Sequence, residues 1–217
     1  MVTRALKGVY RRQVTLHGII KVHEGVSKFS VDKLKPTMRR ELERRILASA
    51  NLIKLNRESA IASTLRRFEG WATSIPKGGS QAVDVNKEKK DIRKAITKLT
   101  YQERRVIVDQ GQKFAASLNA VVAKENKAIA AKWRSRWRTK GYDYREDHKE
   151  RDENVYAIAD NWAIRQGLMK AGECGYTQDI TQPAEEINCQ CRYTYIYSIN
   201  DLPPEMLTEK GRQLLGK

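Results

Sequence analysis

The chain has no apolar run approaching the roughly 18–20 residues that a bilayer-spanning helix needs, so no membrane anchor is expected. Met1 to Arg12 carries charge but no continuous apolar stretch of the secretory-leader kind, and no leader is expected either. Cysteine is scarce. There are three in 217 residues, at positions 174, 189 and 191. An odd, clustered set argues against a secreted disulfide framework and for reduced thiols in a cytoplasm. A Cys174–Cys189 disulfide would require an oxidising compartment. The sequence shows no internal repeat, no glycine-rich phosphate cradle and no Ser/His/Asp nucleophile set. Zinc-finger spacing and a base-reading helix pair are also lacking.

What is abundant is positive charge, and it is unevenly placed. Residues 1–140 carry 33 Lys+Arg against 12 Asp+Glu, a net of +21. Residues 141–217 carry 9 against 14, a net of −5, which together give the +16 of the whole chain. Two regions are therefore expected: a basic helical one over 1–140 and a small acidic module over 141–217. The asymmetry speaks to partners, and a polyanion is the partner it suggests.

The first region reads as mainly α-helical. Residues 1–33 are ambiguous, and Val14 to Val22 could form a short strand or an arm. Pro36 opens a helical pattern in which Met38, Leu42, Ile46, Leu47, Ala50 and Ile53 recur at three and four residues. A second helix is expected from about Glu58 to Trp71. Pro76–Ser80 is the clearest break. Lys87 to Leu99 reads as a short basic helix. Thr100 with Glu103 then makes a capping box. Behind it, Val106, Gln110, Phe114, Leu118, Val122, Ile129, Trp133 and Trp137 trace one stripe. A helix of about forty residues would be about 60 Å long, a length suited to packing against other helices or subunits. Beyond Gly141, Asn154–Ala159 and Gln190–Ile199 read as strands and residues 165–188 as turns, with a short helix after Pro203-Pro204. The expected class is α+β: a helical part containing a long helix, then a small module bearing the cysteines and a histidine.

Two groups of residues carry chemistry. Lys132, Arg134, Arg136, Arg138 and Lys140 alternate with Trp133 and Trp137. Such cations neutralise phosphates, and guanidinium and indole planes stack on bases. On a helix, Lys132, Arg136 and Lys140 would share one face. The plainer alternative places both indoles in a helix-bundle core with the cations solvated. Any nucleic-acid contact would be independent of base sequence, and double-stranded DNA is the expected ligand.

The second group is His148, the one histidine beyond residue 25, with Cys174 and Cys189-Gln190-Cys191. On a strand, residues two apart point to one face, so Cys189 and Cys191 could reach one ion. Thiolates and imidazole are what tetrahedral Zn²⁺ accepts, and a small glycine-rich module gains from such a staple. The plain alternative is buried thiols beside a hydrogen-bonded histidine. His17 and His23 read as ordinary surface or core residues. Asp143, Glu146, Asp147, Glu150, Asp152 and Glu153 read as a solvated linker, a dock for the basic helices, or carboxylates open to recruitment.

Arg145-Glu146-Asp147-His148, then Arg151-Asp152, then Pro183-Ala184-Glu185-Glu186-Ile187-Asn188-Cys189-Gln190-Cys191-Arg192 resembles the C-terminal module of the phage Mu protein F-like head morphogenesis family. These are minor capsid proteins of tailed bacteriophages. The family's pattern is Arg-x-x-His, Asp-Gly a few residues later, and Gly-Glu-x-x-x-Cys-Arg-Cys. Asn161–Lys170, Tyr193–Tyr197 and Asp201-Leu202-Pro203 are similar to a subgroup of it. The resemblance covers roughly residues 142–208. Glu153 and Ala184 stand where the pattern has glycine, and Gln190 where it has arginine. Cys174 lies outside the pattern.

The resemblance implies a structural, non-enzymatic virion protein inside the head or at the portal vertex. Its partners would be packaged DNA and the portal or major capsid protein, and it would assemble as a homo-oligomer or ring that assists assembly or genome delivery. Two other readings stand beside it. One is a zinc-dependent nuclease, since metal-assisted hydrolysis needs an open coordination position and a nearby base. The other is a cellular nucleoid or RNA-binding protein with a zinc-stabilised tail.

Overall fold

The structure is a computed structural model. It describes residues 1–15, 18, 21–73 and 85–216, with side chains described outside 67–73 and 85–100. The expected break at Pro76–Ser80, and Leu16, His17, Ile19 and Ile20, lie outside the described residues. The class is α+β. Six helices accompany a three-stranded antiparallel sheet among those residues.

Three helices build the first half: α1 (Val2–Gln13), α2 (Lys28–Thr73) and α3 (Val85–Glu125). With 46 and 41 residues, α2 and α3 are about 70 and 60 Å long. Val2 and Leu6 of α1, Val31, Met38 and Leu42 of α2, and Phe114, Leu118 and Val122 of α3 form their shared core. The recurrence of these residues at three and four positions is the helix-face spacing that buries one stripe.

Two helix boundaries differ from the sequence expectation. The helices expected at Pro36 and at Glu58 are one continuous α2, which contains Pro36 instead of starting there. Likewise α3 begins at Val85, so Thr100 and Glu103 lie inside the helix instead of at its start. Glu103 instead pairs with Arg57, a cross-link between the long helices.

The largest difference is where α3 stops. The stripe was expected to continue through Ile129, Trp133 and Trp137, yet the helix ends at Glu125. Lys127 takes a left-handed conformation, φ 57°. Its N–H donates to the Lys124 carbonyl, and the Ala128 N–H donates to the Ala123 carbonyl. This crossed pair is the Schellman termination, usually made by glycine. Lysine performs it here, so the sequence shows no glycine or proline to mark it.

The chain leaves α3 as strand β1 (Ala130–Arg134). It forms the centre of the sheet, flanked by β2 (Val155–Ala157) and β3 (Arg192–Ile196) in the order β2-β1-β3. Strand β1 thus precedes Lys140 but pairs only with segments that follow it. Residues alternate between the two faces of a strand. On one face, Ala131 and Trp133 pack with Tyr156, Tyr193, Cys189 and Cys191. On the other, Ala130 joins a core with Ala157, Ala163, Leu168, Met169, Ile199, Leu202, Met206 and Leu207. Short helices α4 (Glu146–Glu150), α5 (Trp162–Arg165) and α6 (Glu209–Leu214) complete this half. Asn161 caps α5, accepting from the Ala163 and Ile164 amides and donating to the Ile129 and Ile158 carbonyls.

A buried histidine joins the halves. His23 is 1% exposed and stacks flat on Tyr195, with ring centroids 5.1 Å apart. The Tyr197 hydroxyl donates to its Nδ1 (2.6 Å), and its Nε2–H donates to Asn119 Oδ1 of α3 (3.3 Å). Burial lowers its pKa to about 4 from 6.5, the Asn119 bond opposing. Unfolding therefore takes up a proton as pH falls from 6.5 toward 4, and stability present above that window is lost within it. The loss should reach up to roughly 3 kcal/mol. Denaturant unfolding across this range should show a steeper decline for the native chain than for His23→Gln. Parallel curves would remove the clamp.

Candidate metal centre

Trp133 supplies the floor of the site. Its indole is fully buried on the central strand and meets His148 edge-on, with centroids 5.2 Å apart. His148 comes from α4, and Cys189 and Cys191 from the turn that leads into β3. The two thiols therefore enter from one side of the sheet and the imidazole from a helix packed beside it.

The three donor atoms converge. His148 Nδ1 lies 3.6 Å from Cys189 Sγ and 3.6 Å from Cys191 Sγ. All three donors lie within 4.8 Å of one another, and all three residues are buried, at 1%, 1% and 4% exposure. A tetrahedral ion with Zn–S of about 2.3 Å and Zn–N of about 2.0–2.1 Å places such S and N atoms about 3.6 Å apart. The spacing present is the spacing coordination requires. This group can hold a metal ion. Cys174 does not join it. Its half-buried thiol packs at the margin of the same cluster, and burial raises its pKa, so the fourth expected ligand is corrected. Among the described residues no other His, Cys, Asp or Glu completes the set. The fourth position would be filled from outside it.

The surroundings suit thiolates. The Ala184 amide donates to Cys189 Sγ at 3.3 Å, the Cys191 amide also donates to Cys189, and the Arg136 amide donates to Cys191. The Ser135 hydroxyl lies 3.7 Å from Cys191 Sγ. Without a cation the two thiols share their protons unequally. Cys189 is pulled down to about 5, chiefly by the hydrogen bond from Cys191, against the effect of burial. Cys191 is held far above the ordinary thiol range by donating that bond and by burial. A second thiolate beside the first is costly, and a divalent ion removes that cost by binding both.

The imidazole is also oriented. Its Nε2 lies 3.3 Å from Glu186 Oε2 and 3.8 Å from Asp147 Oδ2, close to both carboxylates but hydrogen-bonded to neither. A metal held by Nδ1 would leave the proton on Nε2, where a small shift would let Glu186 accept it and fix the ring. Glu186 is held by Arg145 (Nε to Oε2, 2.8 Å), which also donates to the Ile187 carbonyl at 3.1 Å. Arg151 holds Asp147 at 2.9 Å. Tyr142 takes the Gln190 amide (3.0 Å) and donates to the Asn188 carbonyl (3.4 Å). Sequence reasoning missed the roles of Glu186 and Tyr142, since neither spacing nor composition marks a partner forty residues away.

The cationic segment is not a helix face. Lys132 and Arg134 lie on β1 and both pair with Glu153, the lysine at 2.8 Å. Arg136 donates to Gln190 Oε1 at 3.1 Å. Arg138 lies over the Trp137 ring, 4.8 Å from its centroid, and Lys140 is exposed. Trp133 is core, as the plainer alternative had it, but on a strand. Trp137 is half-buried, and its indole N–H donates to Asp152 at 2.9 Å.

No known protein family, curated protein or solved structure matches the chain.

Chelator-stripped protein should bind one divalent metal ion per chain and gain about 10 °C in unfolding midpoint. Cys189→Ser should abolish both effects, and Cys174→Ser neither. A midpoint indifferent to metal in the native chain would rule out the centre.

Proposed function

We propose that this chain is a structural minor capsid or head-morphogenesis protein of a tailed bacteriophage. It acts without catalysis inside the head or at the portal vertex, and zinc staples its C-terminal module. Its basic helical part contacts packaged double-stranded DNA without regard to sequence. The acidic half faces the portal or major capsid protein, in a homo-oligomer or ring that assists assembly or genome delivery.

One observation carries this reading furthest. The resemblance rests on a pattern with glycine at two positions where this chain has Glu153 and Ala184. Both residues have left-handed backbones, at φ 71° and 65°. Only five described non-glycine residues have positive φ, and non-glycine residues rarely adopt it. The chain thus has a glycine-type backbone at the two positions where the pattern has glycine. In the same pattern, Arg145 restrains the cysteine turn, while His148, Cys189 and Cys191 are the donors that converge. Two soft sulfur donors beside one imidazole favour zinc. The +21 of residues 1–140 supports a polyanion partner.

The nuclease reading is disfavoured by where the carboxylates go. Glu186 and Asp147 are paired with Arg145 and Arg151. Asp152 accepts from the Ser135 amide and the Trp137 indole. None of these three is left as a free base beside the thiols. No helix among the described residues is long and apolar enough to cross a membrane.

Cryo-electron microscopy of virions produced with this gene intact should show density for the chain at the portal vertex or on the inner head surface. A mature particle without the protein would end this reading.

A further inference from the structure

Strand register puts two like charges face to face. Arg134 of β1 is the direct cross-strand partner of Arg192 of β3, an arrangement that disfavours the sheet unless something neutralises it. Arg136 follows two residues after Arg134, just beyond the strand end, and burial together with Arg136 and Arg134 crowds the Arg192 guanidinium. The available negative charge is already divided. Glu153 takes Arg134 together with Lys132. Asp152 is occupied by the Ser135 amide and the Trp137 indole. Arg136 has only the neutral side-chain oxygen of Gln190, and Arg192 has no ion pair among the described residues.

These two arginines border one cleft. It has a volume of about 530 Å³ and lies between α3 and the outer edge of β3, where the Tyr195 amide donates to the Val22 carbonyl at 2.8 Å, with Lys113, Glu185, Gln190 and Tyr193 also lining it. Tyr193 is 7% exposed, and its buried hydroxyl has no hydrogen-bond partner. Lys113 is held by Asp109 at 3.0 Å and Arg45 by Glu41 at 3.6 Å; Glu185, the carboxylate that also lines the cleft, accepts from the Gln182 amide at 2.8 Å and makes no ion pair with Arg136 or Arg192 among the described residues. Both are fixed to the cysteine turn: Arg192 follows Cys191, and Arg136 is bonded to Gln190 between the two thiols. A pair of forked guanidiniums with fixed bases is suited to a phosphate group.

We infer that Arg136 and Arg192 form a phosphate-binding pair at the β3 edge, and that its ligand is the phosphodiester backbone of nucleic acid. The inference rests on the proposed DNA contact and sharpens it, because it adds Arg192, which lies outside the cationic 132–140 segment. The alternating Lys132–Lys140 series is thereby divided: Lys132 and Arg134 are internally paired, and Arg136 turns outward with a partner from another strand.

The test is fluorescence anisotropy of a labelled DNA duplex with the full metal-loaded chain, titrated over a range of salt. Wild type is compared with R136Q/R192Q and with R138Q/K140Q, which removes equal charge. Circular dichroism confirms that each variant is folded, and R136K/R192K serves if the first double variant is not. The pair predicts a loss of about tenfold in R136Q/R192Q and a fall of about two in the slope of log affinity against log salt, with a markedly smaller loss in R138Q/K140Q. Equal losses in the two double variants overturn the pair and leave only net charge. Wild-type binding that R136Q/R192Q leaves unchanged also overturns the pair, while the proposed DNA contact stands. A wild type that binds no duplex overturns both and assigns the basic surface to an acidic protein. Phosphate and chloride buffers of matched ionic strength separate the sources. Extra weakening in phosphate that R136Q/R192Q abolishes supports the backbone as the ligand of this pair, and inorganic phosphate that stays bound to the pair while the duplex is bound overturns it in favour of the free anion.

Discussion

Two sulfurs facing one imidazole nitrogen across 3.6 Å set the terms for the C-terminal half of this protein. The stretch from Gln182 to Cys191 has almost no regular structure, and two of its residues, Ala184 and Asn188, adopt left-handed backbones. Its backbone groups find partners in side chains that end at the thiol–imidazole group. Tyr142 holds both sides of Cys189, Arg145 holds Glu186 and Ile187, and Glu185 accepts from the Gln182 amide. Buried polar groups need such partners, and here they converge on a donor set that a metal ion completes. Without an ion the two buried thiols share their protons unequally, next to a turn with almost no regular structure.

The helical half depends on this module through few contacts, each with a clear physical basis. Strand β1 follows directly from the Schellman end of α3, so the helix delivers the central strand of the sheet. His23 bridges Asn119 of α3 to Tyr195 and Tyr197 at the end of β3. Asp109 of α3 accepts the Asn188 amide from the cysteine turn at 3.0 Å. The basic helices and the acidic module are thus fastened at the point where the donor set lies.

Much of this was legible in the sequence, and the misses have specific causes. The fold class and the helical stripe of Phe114, Leu118 and Val122 followed from periodicity. His148, Cys189 and Cys191 followed from residue chemistry and spacing, together with the family resemblance. The end of α3 was not legible because Lys127 does what glycine usually does. That miss carried Trp133 onto a helix that does not reach it and gave Lys132, Arg136 and Lys140 a shared face they lack. Cys174 was included because it is a cysteine in the right module, but three-dimensional placement, not composition, decides ligation. Glu186 and Arg192 gained their roles only through strand register and turn geometry, which no local pattern encodes.

The central claim is that His148, Cys189 and Cys191 bind one ion together. X-ray absorption at the zinc edge of the zinc-loaded protein tests it directly. The account predicts two sulfur scatterers at about 2.3 Å and one imidazole nitrogen at about 2.0–2.1 Å, with the remaining position held by a light atom. A first shell of oxygen and nitrogen alone, or of three sulfurs with Cys174 among them, would contradict it.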